Sequence, residues 1–266
     1  RGSVGTGKTV VALHWAAERA RRSAADGHGL SVLFTTFVKT LPPVFENLYN
    51  RMPDCVPGAV EFVHIHKLAY QVCRAAGDNP WVNMSAVTEA SKAAFKQVVR
   101  AGTPLGDDGI DRSYLEAEVR AVIKGRGIRS LEEYLKVLRT GRGTRFDPSR
   151  RRQAWDYMKE WDAGMAQRDT LDFADTITRA VEHAQGFTGP WYRAAVIEEA
   201  QDLTLMGLQL VRALVNGKRD DDRDDGLLIV GDGAQRIYPG AFTLRQAGVE
   251  VRGRTTVLRL NYRNTA

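Results

Sequence analysis

Gly2-Ser3-Val4-Gly5-Thr6-Gly7-Lys8-Thr9 opens the chain with the spacing G-x-x-x-x-G-K-T. Small residues at this spacing let successive backbone N–H groups turn inward around phosphate oxygens, and the positive end of the following helix adds to the attraction. We expect Lys8 to reach the β- and γ-phosphates of a nucleotide and the Thr9 hydroxyl to hold Mg²⁺. The whole stretch is therefore predicted to bind ATP with Mg²⁺, in front of a helix that begins at Lys8.

The composition limits the kind of protein this is. The chain has 266 residues, of which 43% are hydrophobic and 26% charged, as in soluble globular proteins of one large or two small domains. No apolar run approaches the length of a membrane span and no signal peptide is visible, so we expect no membrane partner. Cys55 and Cys73 are too few for a disulfide framework and predict reduced thiols in a cytoplasmic protein.

The positive charge of the chain is concentrated in one segment. The net charge is +6, yet residues 120–152 alone contain eleven lysines and arginines against three acids. Such a segment suits a polyanion, because each neutralised phosphate releases counterions. Arg142 and Arg145 are therefore candidate nucleic-acid contacts, with a solvated helical face as the alternative.

Short apolar runs that alternate with helical patterns predict an α/β protein, with a parallel sheet covered by helices on both faces. The predicted strands are 30–34, 60–65, 194–197, 227–230 and 256–260. The first helix is predicted from residue 8 to about 22, with Val10 and Val11 among its apolar positions.

Residues 78–168 carry helical patterns, such as 114–124, without a strand-like run, so we expect an inserted all-helical subdomain. The α/β domain then consists of residues 1–77 and 169–266. A phosphate-binding loop normally follows a strand, yet only Arg1 precedes this one. We therefore expect the first strand to be absent.

Acidic residues follow the predicted buried strand 194–197. Carboxylates at the end of such a strand suit Mg²⁺ coordination and the activation of water. We expect Glu198 to hold Mg²⁺ and Glu199 to polarise the attacking water, while Gln201 and Asp202 couple the site to neighbouring loops. A solvated acidic turn is the alternative.

Two further strands are followed by polar residues at the same edge of the predicted sheet. Gln235 follows strand 227–230 and is placed to sense the γ-phosphate. Arg263 follows strand 256–260 and could reach the γ-phosphate to stabilise transition-state charge. The alternatives are a plain turn and a solvated arginine.

These four stretches, in this order, resemble the ATPase core of superfamily 1 helicases of the UvrD/Rep type. The family patterns GxxGTGKT, DEAQD, GDxxQxIY and LxxNYR are similar to residues 2–9, 198–202, 231–238 and 258–263. Three more segments resemble parts of the same core: 33–37, 65–69 and 171–175. The resemblance spans nearly the whole chain and implies a P-loop fold of the RecA type, in an ATP-dependent DNA helicase or translocase.

The resemblance also implies roles for single residues. Tyr262 would line the nucleotide pocket, and Lys8, Glu199, Gln235 and Arg263 would carry hydrolysis. The family segment similar to 33–37 contacts single-stranded DNA, which implies contacts by Thr36 and Phe37. Phe37 would stack on a base, unless it is a core aromatic.

The remaining implications concern the partner. His66 could contact nucleic acid or cap the edge of the sheet. The helical insertion corresponds to the family's 1B subdomain, which overhangs the nucleic acid, and loops 125–127 and 141–145 fit that place. The implied partner is single-stranded DNA or a junction of single and double strands.

The chain departs from the family pattern in two ways. Glu198 stands where the family has Asp, and the extra methylene moves the carboxylate outward, so we expect reduced or retuned hydrolysis. The second RecA-like domain is expected to be absent. Because translocation needs two domains that close around ATP, this chain alone is expected to bind nucleotide without unwinding DNA.

Several functions stay open at this point. The first is a DNA helicase or translocase, and the second is a motor that remodels a nucleoprotein complex such as stalled RNA polymerase. A small-molecule kinase or sensor would lack the DNA-contact segment. A nucleotide-gated binding module without catalysis is suggested by Glu198.

Overall fold

The sheet lies at the centre of the α/β part of the protein. The computed structural model describes residues 6–27, 29, 31–139, 144–189, 191–215, 226–231, 242–249 and 253–258. Within these ranges four parallel strands form one sheet in the order β2-β1-β3-β4, namely β1 (Val32–Thr36), β2 (Val60–His64), β3 (Ala194–Glu198) and β4 (Leu227–Ile229). The predicted α/β class with an all-parallel sheet flanked by helices is confirmed.

The described helices divide between the sheet and the insertion. In chain order they are α1 (Lys8–Ala25), α2 (Pro42–Asn50), α3 (Ile65–Ala75), α4 (Met84–Val98), α5 (Pro104–Asp107), α6 (Arg112–Glu118), α7 (Leu131–Lys136), α8 (Pro148–Ala166), α9 (Phe173–Gln185) and α10 (Leu205–Leu214). A π-helical turn (Val119–Ile123) and a 3₁₀ turn (Lys124–Arg126) follow α6. The helical character predicted over 114–124 is therefore confirmed, although the backbone changes its hydrogen-bond pattern at Val119.

Two apolar cores lie on opposite faces of the sheet. One face packs against α3, α9 and α10, and the other packs against α1 and α2. The small residues Ala12, Ala16 and Ala20 let α1 lie close to the sheet. Val10 and Val11, predicted as apolar positions of this helix, are instead 57% and 50% exposed, because the buried face begins one turn later.

Two predicted strands differ from the structure by more than one residue. Strand β1 covers Val32–Thr36, two residues beyond the prediction, because Thr35 and Thr36 pair with both neighbouring strands and are fully buried. Of the predicted strand 256–260, the described part contains an isolated bridge at Leu258. No helix in the described ranges has both the length and the apolar character needed to cross a membrane.

The helical insertion has a core of its own. Its buried residues all lie between Val87 and Met165, and its centre is Trp161, which is fully buried and donates its indole N–H to the Val87 carbonyl at 3.0 Å. A buried ion pair accompanies this core. Arg139 donates two hydrogen bonds to Glu118, at 2.6 and 2.9 Å, and the Tyr134 hydroxyl donates to the same carboxylate at 2.7 Å.

Much of the basic segment 120–152 serves the structure of the protein. Arg150 pairs with Asp108 and Asp147, Arg129 pairs with Glu182, and Arg151 donates to three carbonyls at the end of α7. Most of the acids that form ion pairs with this segment lie outside residues 120–152. The composition of the segment alone therefore overstates its unpaired positive charge. The net charge of this segment therefore does not by itself indicate a polyanion surface, and the contacts of Arg142 and Arg145 stay a prediction.

We expect the Glu118–Arg139 pair to be required for the stability of the insertion. Replacing Arg139 by Met leaves a carboxylate that is 0% exposed without its cation. Such a change costs about 3–5 kcal/mol of unfolding free energy, which urea denaturation can measure. The control is Arg129→Met at the exposed Arg129–Glu182 pair, where a loss below about 1 kcal/mol is expected. Equal losses in the two variants would contradict this account.

Candidate functional site

The register of the sheet brings three strand ends to one place. Thr36, the last residue of β1, pairs with His64 on one side and with Glu198 on the other. The residues that follow each strand therefore leave the sheet at the same carboxyl edge. In open parallel sheets this edge is where ligands bind.

The predicted Mg²⁺ ligands meet at this edge. Gly7, with a φ of 77°, turns the chain into α1, and Thr9 in the first turn donates its hydroxyl hydrogen bond to Glu198. Burial raises the pKa of Glu198, which is 2% exposed at the end of β3, and the hydrogen bond from Thr9 opposes that rise. The nearby Lys8 lowers the same pKa and is half-buried. The helix N-terminus and the strand end thus face each other, as the sequence predicts.

Glu199 is held in a strained conformation next to Glu198, a predicted Mg²⁺ ligand. Its φ of 51° and ψ of 45° lie in the left-handed region, which costs a non-glycine residue about 1–3 kcal/mol. Gln201 donates to its carboxylate at 2.5 Å. On the other side of Gln201 lies Gly231, where an added Cβ would come within 2.8 Å of the side-chain oxygen. The acidic segment and the start of the segment after β4 are therefore in contact.

A row of three aromatic rings lies at the same edge. The His66 ring sits between Phe37, with centroids 5.3 Å apart, and Phe173, at 4.8 Å. Phe37 is 40% exposed and Phe173 is 42% exposed, so both rings present a face to solvent. We call Phe37, His66 and Phe173 the aromatic row. Sequence reasoning missed Phe173, although a large aromatic residue just after a helix cap was a usable signal.

Thr36 lies buried under the turn that carries Phe37. Its side chain is fully buried and accepts a hydrogen bond from the Val38 N–H at 3.4 Å. It therefore shapes the turn that carries Phe37 and offers no contact surface of its own in this structure. The row lines a cavity of about 510 Å³ between the sheet domain and the insertion, which Asp202 and Lys124 also line.

Of the remaining predicted site residues, some are described by the structure and others lie outside the described ranges. Thr6 is buried beside Gly7, and Arg145 is exposed in the insertion. Loop 125–127, predicted to overhang the nucleic acid, instead packs on α10, where an added Cβ at Gly125 would lie 2.9 Å from Thr204. The others lie outside the described residues, namely Gly2, Ser3, Val4, Gly5, Arg142, Gln235, Tyr262 and Arg263.

A second polar cluster joins α3 to α9. Donor atoms of Cys73, Asp78 and His183 lie within 4.8 Å of one another. Asp78 also pairs with Arg179 at 3.4 Å, and the Cys73 thiol donates to the Thr176 carbonyl. Burial raises the pKa of Cys73 to about 11, so the thiol stays protonated. The cluster is an ionic contact between two helices of the core.

The comparisons with known proteins agree with this geometry. A family model described as the UvrD/REP helicase N-terminal domain matches residues 2–247. The chain belongs to this family. It is therefore an ATPase core of the helicase type. A search among curated proteins returned no match.

The position of His66 in this helicase domain predicts an unusual titration. Burial, and then the neighbouring His64, lowers the pKa of His66 to about 4. The unfolded chain takes up this proton near pH 6.5, so His66 should lower stability as the pH falls from about 6.5 to 4 and leave it unchanged above. NMR titration of the ring, assigned by comparison with His66→Phe, tests this. A pKa at or above 6.5 would contradict the placement of His66 in the aromatic row.

Proposed function

We propose that this chain is the ATP-hydrolysing core of a helicase or translocase that moves on single-stranded DNA. The observation that carries the proposal is the pairing of Thr36 with both His64 and Glu198. This register puts the acidic residues of the ATP site and the aromatic row on adjacent strand ends. A motor needs such proximity, because ATP hydrolysis must change the affinity of the protein for the DNA strand.

The chemistry of the residues present fits Mg²⁺ and ATP. Thr9 and Glu198 place two hard oxygen atoms, of the kind that Mg²⁺ prefers, side by side. When bound, Mg²⁺ would neutralise charge on the phosphates. Lys8 would bind the phosphates, and Glu199 would orient and polarise the attacking water. The strained backbone at Glu199 favours this role, since such strain persists where the surroundings impose it.

Glu198 stands where the family pattern has Asp, and a change at a Mg²⁺ ligand bears on whether the chain hydrolyses ATP at all. The longer side chain reaches Thr9 because β3 ends at Glu198 itself, where the backbone turns at once into the left-handed Glu199. This fit favours slow but real hydrolysis. A nucleotide-gated binding module without turnover is the second candidate, and Glu198→Asp is the variant that separates the two.

The aromatic row supports single strands as the partner. Bases stack on exposed aromatic rings with little regard to sequence, and each contact contributes about 1–3 kcal/mol. Because its pKa of about 4 keeps His66 neutral at physiological pH, the row would bind base faces and not phosphates. Arg145, exposed in the insertion, is a candidate phosphate contact. A motor that remodels an RNA polymerase complex would use the same aromatic row to bind the strand.

Steady-state ATPase of the intact protein, with and without single-stranded DNA, tests the proposal. We expect single-stranded DNA to stimulate turnover at least about tenfold. Glu199→Gln should keep ATP binding and lose turnover by about 10²–10⁴-fold, because general-base assistance is removed. ATP binding without turnover in both the parent and Glu198→Asp would favour the binding module. Turnover indifferent to DNA would contradict a nucleic-acid motor.

Replacing one ring of the aromatic row should weaken DNA binding. We expect Phe37→Ala to raise the dissociation constant for a short oligonucleotide about 5–100-fold, as the loss of one stacked base predicts. The matched control is Leu48→Ala, since Leu48 is an apolar side chain of similar exposure, 45% against 40%, on α2. Fluorescence anisotropy measures both. Equal small effects in the two variants would remove Phe37 from the DNA site.

A further inference from the structure

One lysine of the insertion is buried among carboxylates from two parts of the protein. Lys124, whose side chain is 7% exposed, lies 2.7 Å from Asp162 of α8. It also lies 2.8 Å from Asp175 and 3.4 Å from Asp172, at the start of α9. A cation held in this way is not available to a polyanion. Its contacts join the insertion to the sheet domain.

The two acids at α9 form the cap of that helix. The Asp172 carboxylate accepts from the Asp175 N–H at 2.8 Å, and Asp175 accepts in return from the Asp172 N–H. This reciprocal cap fixes the angle at which the chain enters the helix. Phe173 stands between the two acids, so the cap determines where its ring points. Asp172 is 2% exposed and depends on Lys124 for a counter-charge.

The backbone just after Lys124 allows a close approach to the sheet domain. An added Cβ at Gly125 would lie 2.9 Å from Thr204, and one at Gly127 would lie 2.6 Å from the Met206 sulfur. Thr204 caps α10, two residues after Asp202. The turn that carries Lys124 therefore contacts both the cap of α9, on which Phe173 lies, and the segment that follows the acids of the ATP site.

We propose that Lys124 is a positioning residue for nucleic-acid binding: its buried ammonium group holds the first turn of α9, and with it the ring of Phe173 beside His66. The inference rests on the proposed function, because it assigns the aromatic row to nucleic acid. The ammonium group itself contacts no base or phosphate. Its effect passes through Asp172 and Asp175 to the backbone of Phe173.

The test replaces Lys124 by Met in the full chain, with Lys92→Met as the matched control. Lys92 is a lysine of the same insertion, 50% exposed, and it pairs with Glu89 at 2.8 Å. Two readouts are needed: hydrogen exchange of the amides of residues 173–176 without nucleic acid, and quenching of a 2-aminopurine oligonucleotide. The affinity for ATP is measured alongside.

In Lys124→Met we expect these amides to exchange about tenfold faster, because local opening of α9 becomes easier. The dissociation constant for the oligonucleotide should rise about tenfold, as for a lost stacking contact, while ATP affinity stays within about twofold. Lys92→Met should leave all three unchanged. Parental exchange and parental DNA affinity in Lys124→Met would overturn the inference.

Asp175→Asn keeps the inference testable if Lys124→Met does not fold. The amide oxygen of Asn can still accept the capping hydrogen bond, so the change removes mainly the charge contact with Lys124. We expect the same changes in exchange and affinity at about threefold, and no change would overturn the inference. If the parent chain does not change the 2-aminopurine fluorescence, it does not bind the oligonucleotide and the proposed function fails. Hydrogen exchange in that case still tests whether Lys124 holds the first turn of α9.

Discussion

The lateral pairing of Thr36 is the constraint on which the rest of this structure depends. Because β1 lies between β2 and β3, its last residue aligns the ends of both neighbours. A register shift of one residue would move Glu198 off its buried position and away from Thr9, and would turn the aromatic row toward the other face. The burial of both threonines of β1 and the two apolar cores on either face together oppose such a shift.

Buried ion pairs attach the helical insertion to the sheet domain. Basic residues in this part of the chain make buried or bidentate contacts, such as Arg139 with Glu118, and Lys124 reaches across to the cap of α9. Removing one partner of such a pair is costly because it leaves a buried charge without its counter-charge. This chain therefore carries its insertion in a defined orientation, with the aromatic row and Asp202 lining one cavity.

The sequence was sufficient where the signals are local. Helix α9 has local signals at both ends, because Asp172 caps its start and Gly186 follows its end. The acids after β3 were predicted at the carboxyl edge of the sheet, which is where Glu198 meets Thr9. It was insufficient where partners are distant. Arg139 and Glu118 are 21 residues apart and Lys124 and Asp172 are 48 apart, so counting charges in one segment missed the acids that bind its arginines and lysines. The contact between Phe173 and His66 was missed for the same reason, since only the folded chain brings the two rings together.

The central claim is that the ATP site and the aromatic row act on each other through one sheet edge. The most direct test is thermodynamic linkage: the affinity of the intact protein for single-stranded DNA, measured without nucleotide and with a non-hydrolysable ATP analogue and Mg²⁺. The account predicts that nucleotide changes the DNA affinity by about 5–150-fold, and that DNA changes nucleotide affinity by the same factor. Equal DNA affinities in the two states would show that the two sites are neighbours without coupling, and would contradict the account.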